Sequence, residues 1–397
     1  MKPDLNSKLS LNAINMRRSP ARNILAGLNQ KELISFAGGY PNPDTFPVND
    51  LKIVVREILD KNGSRALQYG ATEGETCLRE AIAARYLSKG IEVGISNIMI
   101  TTSSQQAIDL CSKVFLNRDD RLVCSLPTYF GALQSFWFYG GIPTGIATEA
   151  HLEETVVNLI KGDKKPKFIY TVPDFQNPSG ITLTLEERKK MIQIARDYDL
   201  IIIEDSPYRD LRYEGKEVPA LISLDRERVI HLGTFSKTLA PGFRLGWVIA
   251  NKEIVNKLVM AKQSADLSAS VFDQYVAAGY LNKGLFDLNM EKTIYQYRMK
   301  RDLMIGCFTR YMPEGVSWTH PEGGLFLFVT VPEGISATDI LKETLKQNLA
   351  FVPGEIFYCD GGGRNTMRIN FSYMDLNRIE KGVEILSSVI RKFINLS

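Results

Sequence analysis

The sequence predicts an α/β protein with a mostly parallel sheet, continued by a smaller α+β unit. Three observations carry that expectation. Apolar runs rich in β-branched residues recur at 98–102, 122–126, 168–172, 200–204, 229–232 and 247–250. Helical periods at 105–115, 185–198 and 253–263 separate most of them, the pattern of a parallel sheet covered on both faces. Near residue 290 the texture changes: strands at 325–331 and 366–371 come with fewer crossovers, and a helical pattern over 375–393 closes the chain. The expected organisation is an N-terminal arm over 1–45, a large unit over 46–290 and a small α+β unit over 291–397.

A chain of 397 residues is too long for one small core and suits this division. Its 44% hydrophobic and 23% charged residues are ordinary for a soluble globular protein. With 48 basic and 45 acidic residues the net charge is +3, which gives no electrostatic argument for nucleic acid or an anionic membrane. The five cysteines are odd in number and widely spaced, with no Cys-x-x-Cys pair, which argues against a disulfide framework or zinc site and for a reducing compartment. No run approaches the ~20 apolar residues of a membrane span, and the first twenty residues hold no signal-peptide pattern. The expected location is cytoplasmic.

In chain order, residues 1–33 read as an arm of short helices around Ser19-Pro20-Ala21-Arg22. A short strand at 34–36 leads into a loop, because Gly38, Gly39, Pro41 and Pro43 cannot continue a helix. Helical periods follow at 51–62 and 76–89, a long helical zone spans 270–311, and 337–347 is a further helix.

In an open α/β sheet, ligands gather beyond the carboxyl ends of the strands, so the residues that end each strand are the candidates for chemistry. The apolar run 229–232 is followed by Thr234, Ser236, Lys237, the Pro241-Gly242 turn and Arg244. Burial and nearby cations lower the pKa of a lysine so placed, and a neutral amine can condense with a carbonyl cofactor. Thr234 and Ser236 offer hydroxyls, and Arg244 a guanidinium fork, to a phosphate on that cofactor. By itself the segment equally fits a lysine in a surface loop. Ser104 opens a helix, as a cap, as a phosphate seat, or as both. Tyr129 follows the run 122–126, where an interfacial aromatic would also fit. Asn177-Pro178-Ser179-Gly180 ends a central strand and is otherwise a simple turn. Strand alternation puts Glu204 and Asp205 on opposite sides of the sheet. A buried carboxylate there needs a cation, which a pyridinium nitrogen would supply, unless Asp205 only caps the next turn. Arg368, on the 366–371 strand, is either a salt-bridged sheet residue or a carboxylate clamp.

Taken together, Lys237, Asp205, Asn177, Tyr208, Arg244 and Arg368 resemble the pyridoxal-phosphate site of the class I/II aminotransferases. The family's lysine motif reads Ser-x-Ser-Lys-x-x-x-Pro-Gly-x-Arg-x-Gly, and Thr234 replaces its first serine. The resemblance runs from about residue 34 to the C-terminus. It implies the fold-type-I architecture of PLP-dependent transferases: a large domain with a seven-stranded, mostly parallel sheet, a smaller α+β domain, and a homodimer with active sites at its interface. It implies pyridoxal 5'-phosphate bound through Lys237, with Ser104 and Gln105 donating to the phosphate. Ser103 stands where many relatives have glycine. Tyr129 would stack on the ring, Asn177 and Tyr208 would meet its phenolic oxygen, and Asp205 its nitrogen. Arg368 would bind the substrate α-carboxylate, and Tyr69 would reach the partner's phosphate.

The chain is most similar to the α-aminoadipate/kynurenine/aromatic aminotransferase subgroup, through residues 19–22, 34–43 and 66–69. In that subgroup the arm folds over the substrate. Arg22 would then meet a distal carboxylate, and Gly39, Tyr40 and Phe326 would line the substrate pocket. The resemblance implies ping-pong transfer of an α-amino group from a 2-aminoadipate, aromatic or kynurenine-type amino acid to a 2-oxo acid such as 2-oxoglutarate. One alternative is another reaction on the same cofactor, a β-lyase or racemase. A second is a ligand-sensing domain of the kind carried by related transcription regulators, for whose DNA-binding module the sequence leaves no room. His151, His231 and His320 match no catalytic position.

Overall fold

Thirteen strands, in chain order, organise the computed structural model, which describes residues 4–14, 16 and 32–395. They are β1 (Ile34–Ser35), β2 (Ile98–Thr101), β3 (Arg121–Ser125), β4 (Ile142–Ile146), β5 (Phe168–Thr171), β6 (Ile201–Asp205), β7 (Val229–Thr234), β8 (Gly246–Ile249), β9 (Ser317–Trp318), β10 (Phe326–Thr330), β11 (Leu349–Ala350), β12 (Val352–Pro353) and β13 (Thr366–Asn370). Seven of them form the main sheet in the order β2-β8-β7-β6-β5-β3-β4, with β8 antiparallel to both neighbours and the other pairings parallel. Every residue of β2, β5, β7 and β8 is buried, as expected of strands packed under helices on both faces. The helix Ser103–Phe115 shows the matching pattern: Ala107, Ile108, Leu110 and Cys111 are buried, while Lys113 is exposed.

Six strands of this sheet coincide with the apolar runs of the sequence. The seventh, β4, has the sequence Ile-Pro-Thr-Gly-Ile, and its proline and glycine hide it from a reading by propensity. It lies at the sheet edge, paired only with β3, where Pro143 leaves no central ladder bond unmade.

A second, four-stranded antiparallel sheet has the order β12-β13-β10-β9. Residues 34–40 run beside it and also form a separate two-stranded sheet, β1-β11. β1 pairs with β11, Asn370 N–H donates to Phe36 O (2.9 Å), and the Ser372 hydroxyl donates to Tyr40 O (2.8 Å). The helix Leu285–Tyr311 runs unbroken through residue 290, where the sequence suggested a border. The break lies just before it, at Gly284, whose φ of 69° is the left-handed conformation glycine adopts without strain.

Candidate active site

The carboxyl ends of the central strands open into a cavity of about 1260 Å³. Thirteen of the residues singled out in the sequence line it: Gly39, Tyr40, Ser104, Gln105, Tyr129, Asn177, Asp205, Tyr208, Thr234, Ser236, Lys237, Arg244 and Arg368.

β7 ends at Thr234, and the chain turns at once. The Ser236 N–H donates to Thr234 Oγ1 (3.1 Å), and the two hydroxyls lie 3.0 Å apart. Lys237 follows, half-buried, with Nζ donating to Gly39 O at 2.7 Å. Burial, then the cations Arg368 and Arg244, pull its pKa down to about 8. The 3-10 turn Pro241–Phe243 puts Arg244 in the left-handed region at φ 49°, at the cavity rim. Opposite stands the N-terminus of the helix Ser103–Phe115, whose first-turn N–H groups have no acceptor within the helix. Gly246 permits this approach: a Cβ there would lie 2.7 Å from Ser103 C and from Ser104 N. Ser103 itself has φ 71°, so the position where glycine would be at ease carries a serine in the left-handed region.

Gln105 is committed through its side chain. Its Oε1 accepts from the Tyr129 hydroxyl (2.9 Å), and Nε2 donates to Gly131 O (3.0 Å). What it can offer an anion is its backbone N–H.

The loop after β5 carries Asn177 and is fixed by a buried cation. Arg188, fully enclosed, pairs with Asp174 (2.7 Å) and donates to Pro173 O (2.9 Å) and Leu183 O (3.1 Å). Asn177 Oδ1 accepts from Arg368 Nη1 at 2.8 Å. The Arg368 guanidinium also donates to Ala37 O (2.6 Å) and lies between the rings of Phe326 (4.3 Å) and Phe357 (5.2 Å). Its Nε is buried without a partner.

Alternation at the end of β6 separates the two carboxylates as expected. Glu204 meets His231 Nδ1 (2.8 Å) and accepts from Leu221 N (2.8 Å) and Ile222 N (3.0 Å). Burial works to raise its pKa, but the His231 pairing, then the Arg209 cation and the Leu221 N–H, bring it down to about 2. Asp205 lines the cavity. One oxygen accepts from the Tyr170 hydroxyl (2.8 Å), and the other, Oδ1, has no partner. Burial pushes its pKa up to about 7. Tyr208 stands edge-on to Phe326, with centroids 5.8 Å apart, and burial raises its phenol strongly.

Two of the residues named from the sequence do not line this cavity. Phe326 is fully buried beneath Arg368 and off the cavity surface, which Ile356 and Phe357 line instead. Tyr69 is 80% exposed and away from the cavity. Arg22 lies outside the described residues. The sequence reading missed Tyr170, Ala37 O and Phe357. Only the apolar run holding Tyr170 hinted at any of them, and it gave no cross-strand register.

The donor set fits pyridoxal phosphate. It combines an amine of lowered pKa, a buried carboxylate oxygen lacking a cation, and a glycine-permitted cradle of N–H groups facing an arginine.

Comparison with known proteins agrees, and fold and relatives together define a pyridoxal-phosphate-dependent enzyme of fold type I. The chain belongs to the class I and II aminotransferases, whose family model matches residues 36–386. It is 42% identical to aromatic-amino-acid aminotransferase 1 of Thermococcus litoralis, over 98% of this chain and 95% of that one. The Pyrococcus horikoshii kynurenine aminotransferase, solved in complex with PMP, superposes with a TM-score of 0.94 at 42% identity, covering 98% of each chain. The α-aminoadipate aminotransferase of Thermus thermophilus, complexed with N-(5'-phosphopyridoxyl)-L-leucine, gives 0.91 at 34% identity, covering 100% of each. Among the described residues, no helix is long and apolar enough to cross a membrane.

Proposed function

We propose that this aminotransferase moves the α-amino group of an aromatic, kynurenine-type or 2-aminoadipate-type amino acid to a 2-oxo acid such as 2-oxoglutarate, in two half-reactions at one site. The observation that carries the reading is the meeting of Lys237, the unpaired Asp205 Oδ1 and Arg368 in one cavity. The named activities of the relatives point to the donor classes.

When bound, pyridoxal phosphate supplies the carbonyl that takes up the amino group and a ring that accepts the electron pair left at Cα. The chain does the rest. Arg368, pre-set by Asn177 and Ala37 O, clamps the α-carboxylate and so orients the Cα–H bond. Lys237, whose pKa drawn down to about 8 leaves a substantial neutral fraction near that pH, removes that proton and returns it. Asp205 Oδ1 would meet the ring nitrogen, Asn177 and Tyr208 the ring oxygen, and Tyr129 would cover the ring. Ser104 and the Gln105 backbone, with Thr234, Ser236 and Arg244, hold the phosphate. Gly39, Tyr40 and Phe357 form the wall for the donor side chain.

A panel of amino acids incubated with 2-oxoglutarate tests the reading. Glutamate formed from aromatic, kynurenine or 2-aminoadipate donors supports it. Ammonia release or inversion at Cα without any oxo-acid acceptor would replace it with a lyase or racemase. Arg368→Lys should raise the donor KM roughly tenfold or more with the bound-cofactor spectrum unchanged, because an ammonium cannot reproduce the bidentate fork. Steady-state kinetics check this, and an unchanged KM removes Arg368 from the carboxylate.

The same reading makes the enzyme a homodimer with shared sites. Leu67 and Tyr69 are 72% and 80% exposed, and an exposed apolar pair of this kind suits an interface at which Tyr69 serves the other subunit's phosphate. Sedimentation at assay concentration should give twice the chain mass, and an active monomer refutes the shared site. The five free cysteines suit a reducing, cytoplasmic setting. The division into arm, large and small units is kept as a working description, with the second border moved to the start of the helix Leu285–Tyr311.

A further inference from the structure

One buried hydroxyl beside the cavity has no task in the reading above. Tyr170 lies on β5, next to β6, and is fully enclosed. Its ring stands edge-on to Phe136, with centroids 5.3 Å apart and planes at 73°. The parallel register aligns it with Ile203, two residues short of Asp205, so the phenol reaches forward along the sheet to the carboxyl. There it donates to Asp205 Oδ2 at 2.8 Å, which leaves Oδ1 as the unpaired oxygen of a residue that lines the cavity.

We propose that Tyr170 is a positioning residue for Asp205: by occupying Oδ2 it fixes the carboxyl rotor and keeps Oδ1 as the acceptor for the cofactor's ring nitrogen. The proposal rests on the reading of Asp205 as the partner of that nitrogen.

Two physical arguments support it. The terminal torsion of an aspartate is broad and roughly two-fold, so a carboxyl with neither oxygen anchored does not hold one face toward a ligand. Anchoring Oδ2 from a strand-borne, fully packed ring removes that freedom before the ligand arrives. The second argument is electrostatic. Burial drives Asp205 toward its neutral acid, and a neutral acid competes for the same proton that the ring nitrogen must carry. The Tyr170 donor works the other way, as do His231 and Lys237 on the β7 side. Across from them, Cys111 on the helix Ser103–Phe115 has its thiol pushed up to about 12 by burial, and the hydroxyls of Tyr129 and Tyr208 stand near Tyr170. Tyr170 is itself raised well above its usual range, by burial and then by the adjacent carboxylate. It therefore stays protonated across the working range and acts only as a donor. Glu204 takes no part, being turned to the other side of the sheet and paired with His231.

Tyr170→Phe keeps the ring against Phe136 and removes only the donor. Holoenzymes of Tyr170→Phe, Asp205→Ala and the double variant are compared by pyridoxal phosphate dissociation constant, by pH titration of the bound cofactor's absorbance, and by melting of the apoprotein. Tyr170→Phe should weaken cofactor retention roughly tenfold, the scale of one hydrogen bond to a charged group. It should also move the midpoint of the absorbance titration and lower kcat with an unchanged donor KM, while the apoprotein melts as the parent does. The double variant should match Asp205→Ala, because Tyr170 acts through that carboxyl. Native retention and titration in Tyr170→Phe overturn the proposal, and so do losses that add in the double variant or a fall in melting temperature with no spectral change. If Asp205→Ala itself leaves retention and titration untouched, the reading of Asp205 falls, and this proposal with it.

Discussion

Lys237→Ala is expected to abolish turnover, by at least about 10⁴-fold, and to leave pyridoxal phosphate bound without a covalent link. Two functions are lost together: the amine that condenses with the cofactor and the group that carries the Cα proton, the second alone worth about 10²–10⁴. The fold should not suffer. Lys237 has its pKa drawn down to about 8 from an unfolded value of about 10.4, so the unfolded chain binds more protons between those two pH values. Its contribution to stability therefore rises with pH across that window and is unfavourable at pH 7, where the native site must hold a disfavoured cation. Removing it should leave the apoprotein melting no lower at neutral pH. Borohydride reduction followed by peptide mass mapping checks the assignment. The parent should carry the reduced adduct at residue 237 and the variant should carry none, and an adduct on any other lysine would overturn it.

Asp205→Ala should slow the chemical step by about 10²–10³-fold or more, the scale on which a pre-organised electrostatic group counts in the transition state. Here the sign is opposite. Burial raises the folded pKa to about 7 from about 3.9, so the native chain binds more protons between pH 4 and pH 7 and loses stability as pH rises through that range. Above pH 7 the carboxylate is a net cost to the apoprotein, and its removal leaves only the Tyr170 hydroxyl short of a partner. A folded, cofactor-binding but slow variant is the expected result. Single-turnover measurements with an α-deuterated donor should show that proton removal from Cα has become slower. Near-native turnover would mean that the ring nitrogen answers to a different carboxylate.

Lys237, Asp205 and Asn177 were legible because each ends or follows a buried run. Lys237 follows β7, Asp205 ends β6, Asn177 follows β5, and a reading of strand ends finds them in order. What stayed hidden depends on geometry that no single segment encodes. Tyr170 meets Asp205 only through the register of β5 on β6. Phe357 reaches the cavity from a 3-10 turn with no periodic signal, and it takes the wall position that the sequence suggested for Phe326. Phe326 is drawn inward instead, as one of two rings that enclose the Arg368 guanidinium. β4 was lost to its own proline and glycine, which an edge position tolerates. Residue 290 itself falls inside the helix Leu285–Tyr311, because helical periodicity is continuous on both sides of it, with Gly284 just before the helix.

The cavity also draws on two separate sheets. Lys237, Asp205 and Asn177 hang from strand ends of the seven-stranded one, whereas Gly39, Tyr40 and Phe357 belong to loops beside the four-stranded one, to which Phe36 O and Tyr40 O are tied by Asn370 and Ser372. Gene duplicates can therefore diverge in diet while inheriting the same reactive centre. A directed-evolution library confined to Tyr40, Ile356 and Phe357 should explore new donors while leaving Gly39 O, the acceptor of the Lys237 amine, in place.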